Sequence, residues 1–419
     1  VPYDLLIRNC GQILTLVGGP TDKPLTKSQL SDWQILANGF VACEKGRIAA
    51  VGPMLELDDS QISATTEILD AQGRVVMPGL VECHTHLVFA GNRAEEFQRK
   101  LQGESYLDIL ASGGGILSTV RATRAASAAE LLQNALHHLD GFRRYGVTTV
   151  EAKSGYGLDK ETELRLVRVA LEASKRQPVR VVPTFLGAHV VPPEYKGRPA
   201  EYLHMLATEV LPELRGQAEF VDIFCEEGAF SVDDARTYLQ QAHALGFGLK
   251  IHAEQLHDLG GCAMAAELGA ISVDHVDYLS LPDAARIAQN GRTVAVLLPL
   301  VPLFLRQERY ALGRQLIDAG VPVAVSTDFN PGSCPSKNLW LALSMACLKM
   351  GLTPLEAIAA VTLNAAWALN RAHEVGRLAE GYMADILILT LDDYRQIPYW
   401  LGENPVQEVI IGGIRQNLQ

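Results

Sequence analysis

His84 and His86 stand one residue apart in "MPGLVECHTHLVFAG", residues 77–91, a stretch that is otherwise almost wholly apolar. Side chains of a β-strand alternate faces, so the two imidazoles point the same way. Placed like that they form a chelating pair, and imidazole nitrogen suits zinc and iron(II). Two histidines alone are explained as well by an incidental pair of polar core residues. Three more positions weigh against that: His252, His275 and Asp328 each fall at the carboxyl end of an expected strand. His84, His86, His252 and Asp328 supply three imidazoles and a carboxylate, the protein's share of a hydrolytic site that keeps an open position for water. His275 is then left to support the ligands or to face a substrate. A metal in that setting brings the pKa of bound water to about 7 and supplies hydroxide without a protein nucleophile. Asp328 is placed to accept the water's proton and hand it to a leaving nitrogen.

The strands that must carry these groups are short runs rich in Val, Ile, Phe and Thr, at residues 79–88, 147–152, 179–187, 218–227, 247–254, 271–279, 292–300 and 321–329. Amphipathic segments alternate with them, among them residues 128–146, 160–177, 231–246 and 308–320, and several close on a glycine. "SVDD" at Ser231 has the form of a helix cap, with Asp234 three residues on. Eight strand-helix alternations in roughly 250 residues predict an α/β fold, a (β/α)8 barrel, because parallel strands need helical crossovers. A doubly wound open sheet would show a glycine-rich phosphate turn after its first strand, which is missing here. Residues 1–75 and 374–419 hold short strand-like runs broken by Gly, Pro and Asn. Neither flank buries a core alone, so the two ends are expected to combine into one small β domain beside a barrel spanning residues 76–373. Residues 104–125 and 332–372 read as helices and loops attached to that barrel.

With 419 residues, 48% of them hydrophobic and 20% charged, the chain has ample material for a large core. Its net charge of −12 is spread over mixed-sign segments without a basic block, which argues against nucleic-acid and anionic-membrane partners. Seven scattered cysteines with no CxxC pair argue against a disulfide framework and a thiolate zinc site, and fit a reducing cytoplasm. "VPYDLLIRN" lacks the basic and apolar regions of a secretory signal, and no run of about 20 apolar residues offers a membrane span. A cytoplasmic location is the expectation.

The opening "PGLVECHTH", the strand-end histidines 252 and 275 and the terminal Asp328 resemble the amidohydrolase superfamily. Finer motifs narrow the resemblance: "FAGNRAEEF" (89–97), "SGGGI" (112–116), "EAKSGYGL" (151–158), "FLGAH" (185–189), "KIHAEQ" (250–255), "VDHVDY" (273–278) and "STDFNPGSCP" (326–335). They resemble the members that open the ring of 4-imidazolone-5-propanoate to N-formimidoyl-L-glutamate in histidine degradation. The resemblance implies a distorted barrel with a small β-sandwich from both chain ends, a homodimer, and one divalent metal ion per subunit, zinc or iron. It implies hydroxide attack on the ring carbonyl. It also implies His84, His86, His252 and Asp328 as metal ligands, and Arg93, Tyr156, His189, Gln255, Asn330, Gly332 and Ser333 as substrate or product contacts.

Residue chemistry agrees with several of these roles. A propanoate tail needs a cation, and a planar guanidinium at Arg93 grips a carboxylate through two hydrogen bonds. Tyr156, in a glycine-flanked loop, can donate to the same carboxylate, and Tyr106 is a weaker candidate. His189 and His275 are both candidates for stabilising the oxyanion at the ring carbonyl; His275 is favoured there and His189 for binding the ring. Asn330 and Gly332 lie in "NPG", where turn formation alone can account for them. The triple glycine at 113–115 lacks the Gly-Lys-Ser/Thr pattern of a phosphate loop. Where some relatives place a glutamate three residues after the strand-five histidine, Gln255 stands here with Glu254 beside it. Glutamine cannot shuttle a proton, so Gln255 is assigned to substrate binding and Asp328 to proton transfer. Lys153 is read as following strand two rather than lying on strand four, where binuclear relatives carry a bridging lysine. The site is therefore expected to be mononuclear, with Glu226 and Glu227 shaping its mouth. Two competing functions are a metal-dependent aminohydrolase of purines or pyrimidines, which has no need of Arg93, and a non-catalytic assembly protein, which would not need the ligands.

Overall fold

The computed structural model describes residues 2–104, 108 and 113–418; Tyr106 lies outside them. Eight parallel strands follow one another around a curled sheet: Leu80–Glu82, Val147–Lys153, Arg180–Ala188, Phe220–Cys225, Gly248–Ala253, Ser272–His275, Val294–Leu297 and Val323–Val325. All eight expected strands are present, most of them shorter than their apolar runs. The sheet ends meet just beyond the first and last strands, where Thr85 bridges Phe329 and the His86 amide donates to the Phe329 carbonyl at 2.9 Å. Between strands the expected helices form at Ala128–Arg144, Lys160–Arg176, Val232–Ala244 and Gly313–Ala319. Helix Val232–Ala244 starts as its sequence dictates, with Ser231 and Asp234 exchanging the reciprocal bonds of a capping box. Helix Ala128–Arg144 turns Leu131, Ala135, Leu139 and Phe142 inward, one helical stripe against the barrel. Burying a large apolar side chain contributes about 1.5–3 kcal/mol.

The two chain ends share one further sheet. Val75–Pro78 lies centrally in it, parallel to Leu5–Leu14 on one side and antiparallel to Ile386–Leu389 on the other. Leu5, Ile7, Ile13, Val41, Val76, Ile386 and Ile410 pack there into a core separate from that of the barrel. The chain passes from Pro78 directly into the first barrel strand, so this sheet anchors the segment that carries His84 and His86. Among the described residues, no helix is long and apolar enough to cross a membrane.

His138 ties the same segment to helix Ala128–Arg144. Its Nδ1 lies 3.0 Å from the Leu87 carbonyl, and its ring stacks on Phe89 with centroids 5.0 Å apart. Burial depresses its pKa from 6.5 to about 4. Between those values the unfolded chain binds a proton that the folded one refuses, so the contribution is complete above pH 6.5 and is lost as pH falls toward 4. Thermal melting should therefore fall more steeply from pH 6.5 to 4 in the native protein than in His138→Gln. Parallel curves would remove His138 from the acid sensitivity.

Candidate active site

The groups singled out from the sequence gather at the carboxyl ends of the barrel strands. His84 and His86 lie just past Leu80–Glu82, His252 within Gly248–Ala253, His275 at the end of Ser272–His275, and Asp328 three residues beyond Val323–Val325. Backbone conformation there is unusual: φ is +57° at Asp328, +82° at His275 and +56° at the β-branched Val276. Left-handed backbone at such residues costs of order 1–3 kcal/mol each and collects where a site must be shaped. Glu254, at φ +52°, is a fourth instance and decides a question of direction. It turns its carboxylate away from the barrel mouth to accept the Gly261 and Cys262 amides, both at 2.8 Å, at the start of helix Gly261–Glu267. Gln255 is left lining the cavity.

The ligand atoms of His84, His86 and Asp328 lie within 4.8 Å of one another, as do those of His84, His252 and His275. Among the described residues, His84 Nε2, His252 Nε2 and Asp328 Oδ1 are buried without a hydrogen-bond partner, although Asp328 Oδ1 lies 3.4 Å from Nε2 of both His84 and His86. Orphaned atoms of this kind are costly unless something fills the space between them. Imidazole nitrogens with one carboxylate oxygen match the donor set of zinc or iron, so these residues fit a divalent cation. Burial opposes ionisation of Asp328, but the neighbouring imidazoles of His84 and His86 prevail and hold its carboxyl well below the usual range.

Beneath the cluster, two carboxylates that sequence reasoning missed aim the imidazoles. Asp274 Oδ2 lies 2.7 Å from His84 Nδ1, and Asp222 Oδ1 lies 3.1 Å from His252 Nδ1. Each bond fixes the ring so that Nε2 faces the common point. The available signal was a single acidic residue in each of the apolar runs "FVDIF" and "SVDH". Lys153 is the last residue of strand Val147–Lys153 rather than a residue following it. Its ammonium lies 2.7 Å from Asp222, 3.1 Å from Glu151 and 3.2 Å from Asp274, filling the space among these carboxylates with a protein cation. Glu226, also buried, accepts from His257 and the Leu256 amide, whereas Glu227 is exposed.

Above the cluster opens a cavity of about 700 Å³ whose lining includes Arg93, Tyr156, His189, Gln255, His275, Asn330, Gly332 and Ser333. His86, His252 and Asp328 reach it as well, while His84 stays below. Arg93 is held by its Nε bond to Thr119 at 3.0 Å, and its guanidinium lies flat against Gly332. A methyl group at position 332 would collide with the guanidinium carbon, so only glycine permits this approach. Burial pushes the Tyr156 hydroxyl above its ordinary pKa, outweighing the Arg93 charge beside it, so it remains a donor. Burial likewise holds His189 and His275 well below 6.5, as neutral rings. His189 Nδ1 donates to the Gly155 carbonyl at 3.0 Å, which makes its Nε2 an acceptor. Asn330 accepts the Gly332 and Ser333 amides at 2.7 and 2.8 Å and donates to the Asp328 carbonyl and Ser333 hydroxyl. Its side chain is fully engaged in holding the turn below Arg93.

A family model described as "Amidohydrolase family" matches residues 75–415. An imidazolonepropionase from Symbiobacterium thermophilum is 47% identical over 416 residues, covering 98% of this chain and 97% of that protein. Another, from Geobacillus kaustophilus, is 47% identical over 417 residues with the same coverage. The chain belongs to the imidazolonepropionase family of amidohydrolases. Family membership makes it a hydrolase. Solved structures extend the likeness at the level of fold. An adenosine deaminase from Xanthomonas campestris with bound zinc has a TM-score of 0.70 at 17% identity, covering 99% of this chain and 93% of its own. Guanine deaminase from E. coli has a TM-score of 0.70 at 16% identity, covering 98% and 99%.

For this member of the imidazolonepropionase family, Asp222 and Asp274 carry a specific expectation. Asp222→Asn or Asp274→Asn should each weaken metal affinity by about 10- to 100-fold, since an amide no longer enforces the Nδ1–H tautomer. Competition with a chromogenic chelator reads this directly. Affinity within a factor of two of the native protein would leave these carboxylates a purely structural role.

Proposed function

We propose that the protein hydrolyses 4-imidazolone-5-propanoate to N-formimidoyl-L-glutamate in the cytoplasm, as a homodimer with one zinc or iron ion per subunit. The observation that carries this reading is one cavity holding both the imidazole–carboxylate cluster and the Arg93 guanidinium seated on Gly332. A hydrolytic centre beside a fixed cation suits a small ring that bears a carboxylate. The names of the near-full-length relatives support the same substrate. All seven cysteines are free thiols, which supports a reducing compartment.

His84, His86, His252 and Asp328 would hold the ion, which when bound supplies Lewis acidity that brings the pKa of a water ligand to about 7. Arg93 and Tyr156 bind the propanoate and thereby fix the ring over the cluster. His189 Nε2, an acceptor, takes a ring N–H. That tautomer disqualifies it from donating to the carbonyl, which leaves His275 for the developing oxyanion. Asp328 takes the proton from the attacking water and delivers it to the ring nitrogen as the C–N bond breaks. Ser333 Oγ, 3.2 Å from Asp328 Oδ2, steadies that carboxylate. Gln255 contributes hydrogen bonds to the substrate, and Asn330 holds the turn from Asp328 to Ser333.

The test is turnover by protein purified with its own metal, followed as loss of imidazolonepropionate absorbance beside guanine, cytosine and hydantoin. Hydrolysis of imidazolonepropionate alone is expected. Turnover of a nucleobase without it would overturn the substrate while leaving the family intact.

A further inference from the structure

Glu163 lies on helix Lys160–Arg176, fully buried, outside the cavity and outside the set of groups given a chemical role above. Its two oxygens are nevertheless spent on a single loop. Oε1 accepts the amides of Gly157 and Leu158 at 2.7 and 2.9 Å, and Oε2 accepts that of Gly155 at 3.0 Å. Tyr156 is the residue between these three donors. The Gly155 carbonyl in turn accepts the His189 Nδ1 proton.

The loop has no slack around this carboxylate. At Gly155, φ is +110°, and a Cβ would stand 2.7 Å from the Leu186 carbonyl and 3.0 Å from His189 Nδ1. At Gly157 a Cβ would stand 2.8 Å from the Glu163 amide. Three backbone donors that bond no other group among the described residues need an acceptor of this shape, because a buried unpaired N–H is expensive. A short loop with two glycines would otherwise have many conformations open to it.

We propose that Glu163 is a positioning residue that presets Tyr156 and His189 for the substrate: one buried carboxylate fixes the backbone beneath both. The inference rests on Tyr156 and His189 being substrate contacts, as read above. Preorganisation of this kind acts on binding, since the ordering of the loop is completed before the ligand arrives.

The experiment compares Glu163→Gln, Tyr156→Phe and the double variant as holoenzymes on 4-imidazolone-5-propanoate, with metal content and melting temperature measured alongside. Glutamine keeps the shape but opposes an NH2 to the backbone donors. Glu163→Gln is expected to raise KM about tenfold or more, with kcat changed less than about threefold and metal content unchanged. The double variant should raise KM by clearly less than the product of the two single effects, because part of the Glu163 effect runs through Tyr156. A fall in kcat at unchanged KM, or fully multiplicative effects, overturns the proposal. Tyr156→Phe with an unaltered KM overturns the contact reading on which it rests. If Glu163→Gln does not fold, Glu163→Asp, which keeps the charge and withdraws it by one methylene, is expected to show the same KM-selective defect.

Discussion

Asp328→Asn should lower kcat by between about 10² and 10⁴, the range lost when a positioned acid–base group is removed. Asparagine preserves size and the Ser333 contact but can neither carry a proton nor offer a charge to a cation. The two roles proposed for Asp328 are thereby removed together, and they separate by measurement. Assay at saturating metal, with the bound ion quantified, restores the coordination contribution; the loss that persists belongs to proton transfer. Turnover within tenfold of the native rate in fully loaded protein would mean that another group carries the proton. Glu254 is excluded from that part by its direction, since both its oxygens are engaged at the start of helix Gly261–Glu267. Gln255 is excluded by its chemistry.

Arg93→Met should act differently, raising KM by roughly 30- to 150-fold with metal content intact. Hydrogen bonds to a charged partner are worth about 2–3 kcal/mol, and a tenfold change corresponds to about 1.4 kcal/mol. Methionine keeps the apolar stem while, on the proposed role of Arg93, leaving the substrate carboxylate unmatched. Gly332→Ala should reproduce part of this defect without touching a charge, because the added methyl would occupy the place of the guanidinium. Loss of metal from Arg93→Met, measured by atomic absorption, would put the residue in the wrong role.

Much of this site is legible in the sequence. The barrel followed from alternating β-branched and amphipathic runs, and His252, His275 and Asp328 from their position at the ends of such runs. Side-chain parity brought His84 and His86 together although the regular strand stops at Glu82. At Glu254 alternation alone would turn the carboxylate into the barrel beside His252, whereas Gln255 is the residue that lines the cavity. A left-handed residue reverses direction, and nothing in "HAEQ" announces a positive φ at a glutamate. Asp222 and Asp274 escaped because a lone acid in an apolar strand gives no hint of its partner. Both imidazoles they orient are distant in the chain, Asp274 to His84 across 190 positions. Lys153 is visible as a charge in an apolar run, and Glu151 two residues before it shares its face of the strand, but Asp222 and Asp274 come from two other strands, information that only closure of the barrel supplies.

The strand Val75–Pro78 is flanked by segments far apart in the chain, Leu5–Leu14 made before it and Ile386–Leu389 made about 310 residues after it. At roughly 5–20 residues per second, a ribosome needs some 15–60 s to bridge that interval. Throughout it the nascent chain displays an apolar, half-paired sheet margin immediately before the histidine segment. Chaperone capture during translation, and aggregation of prematurely terminated chains, are the liabilities this topology brings with it.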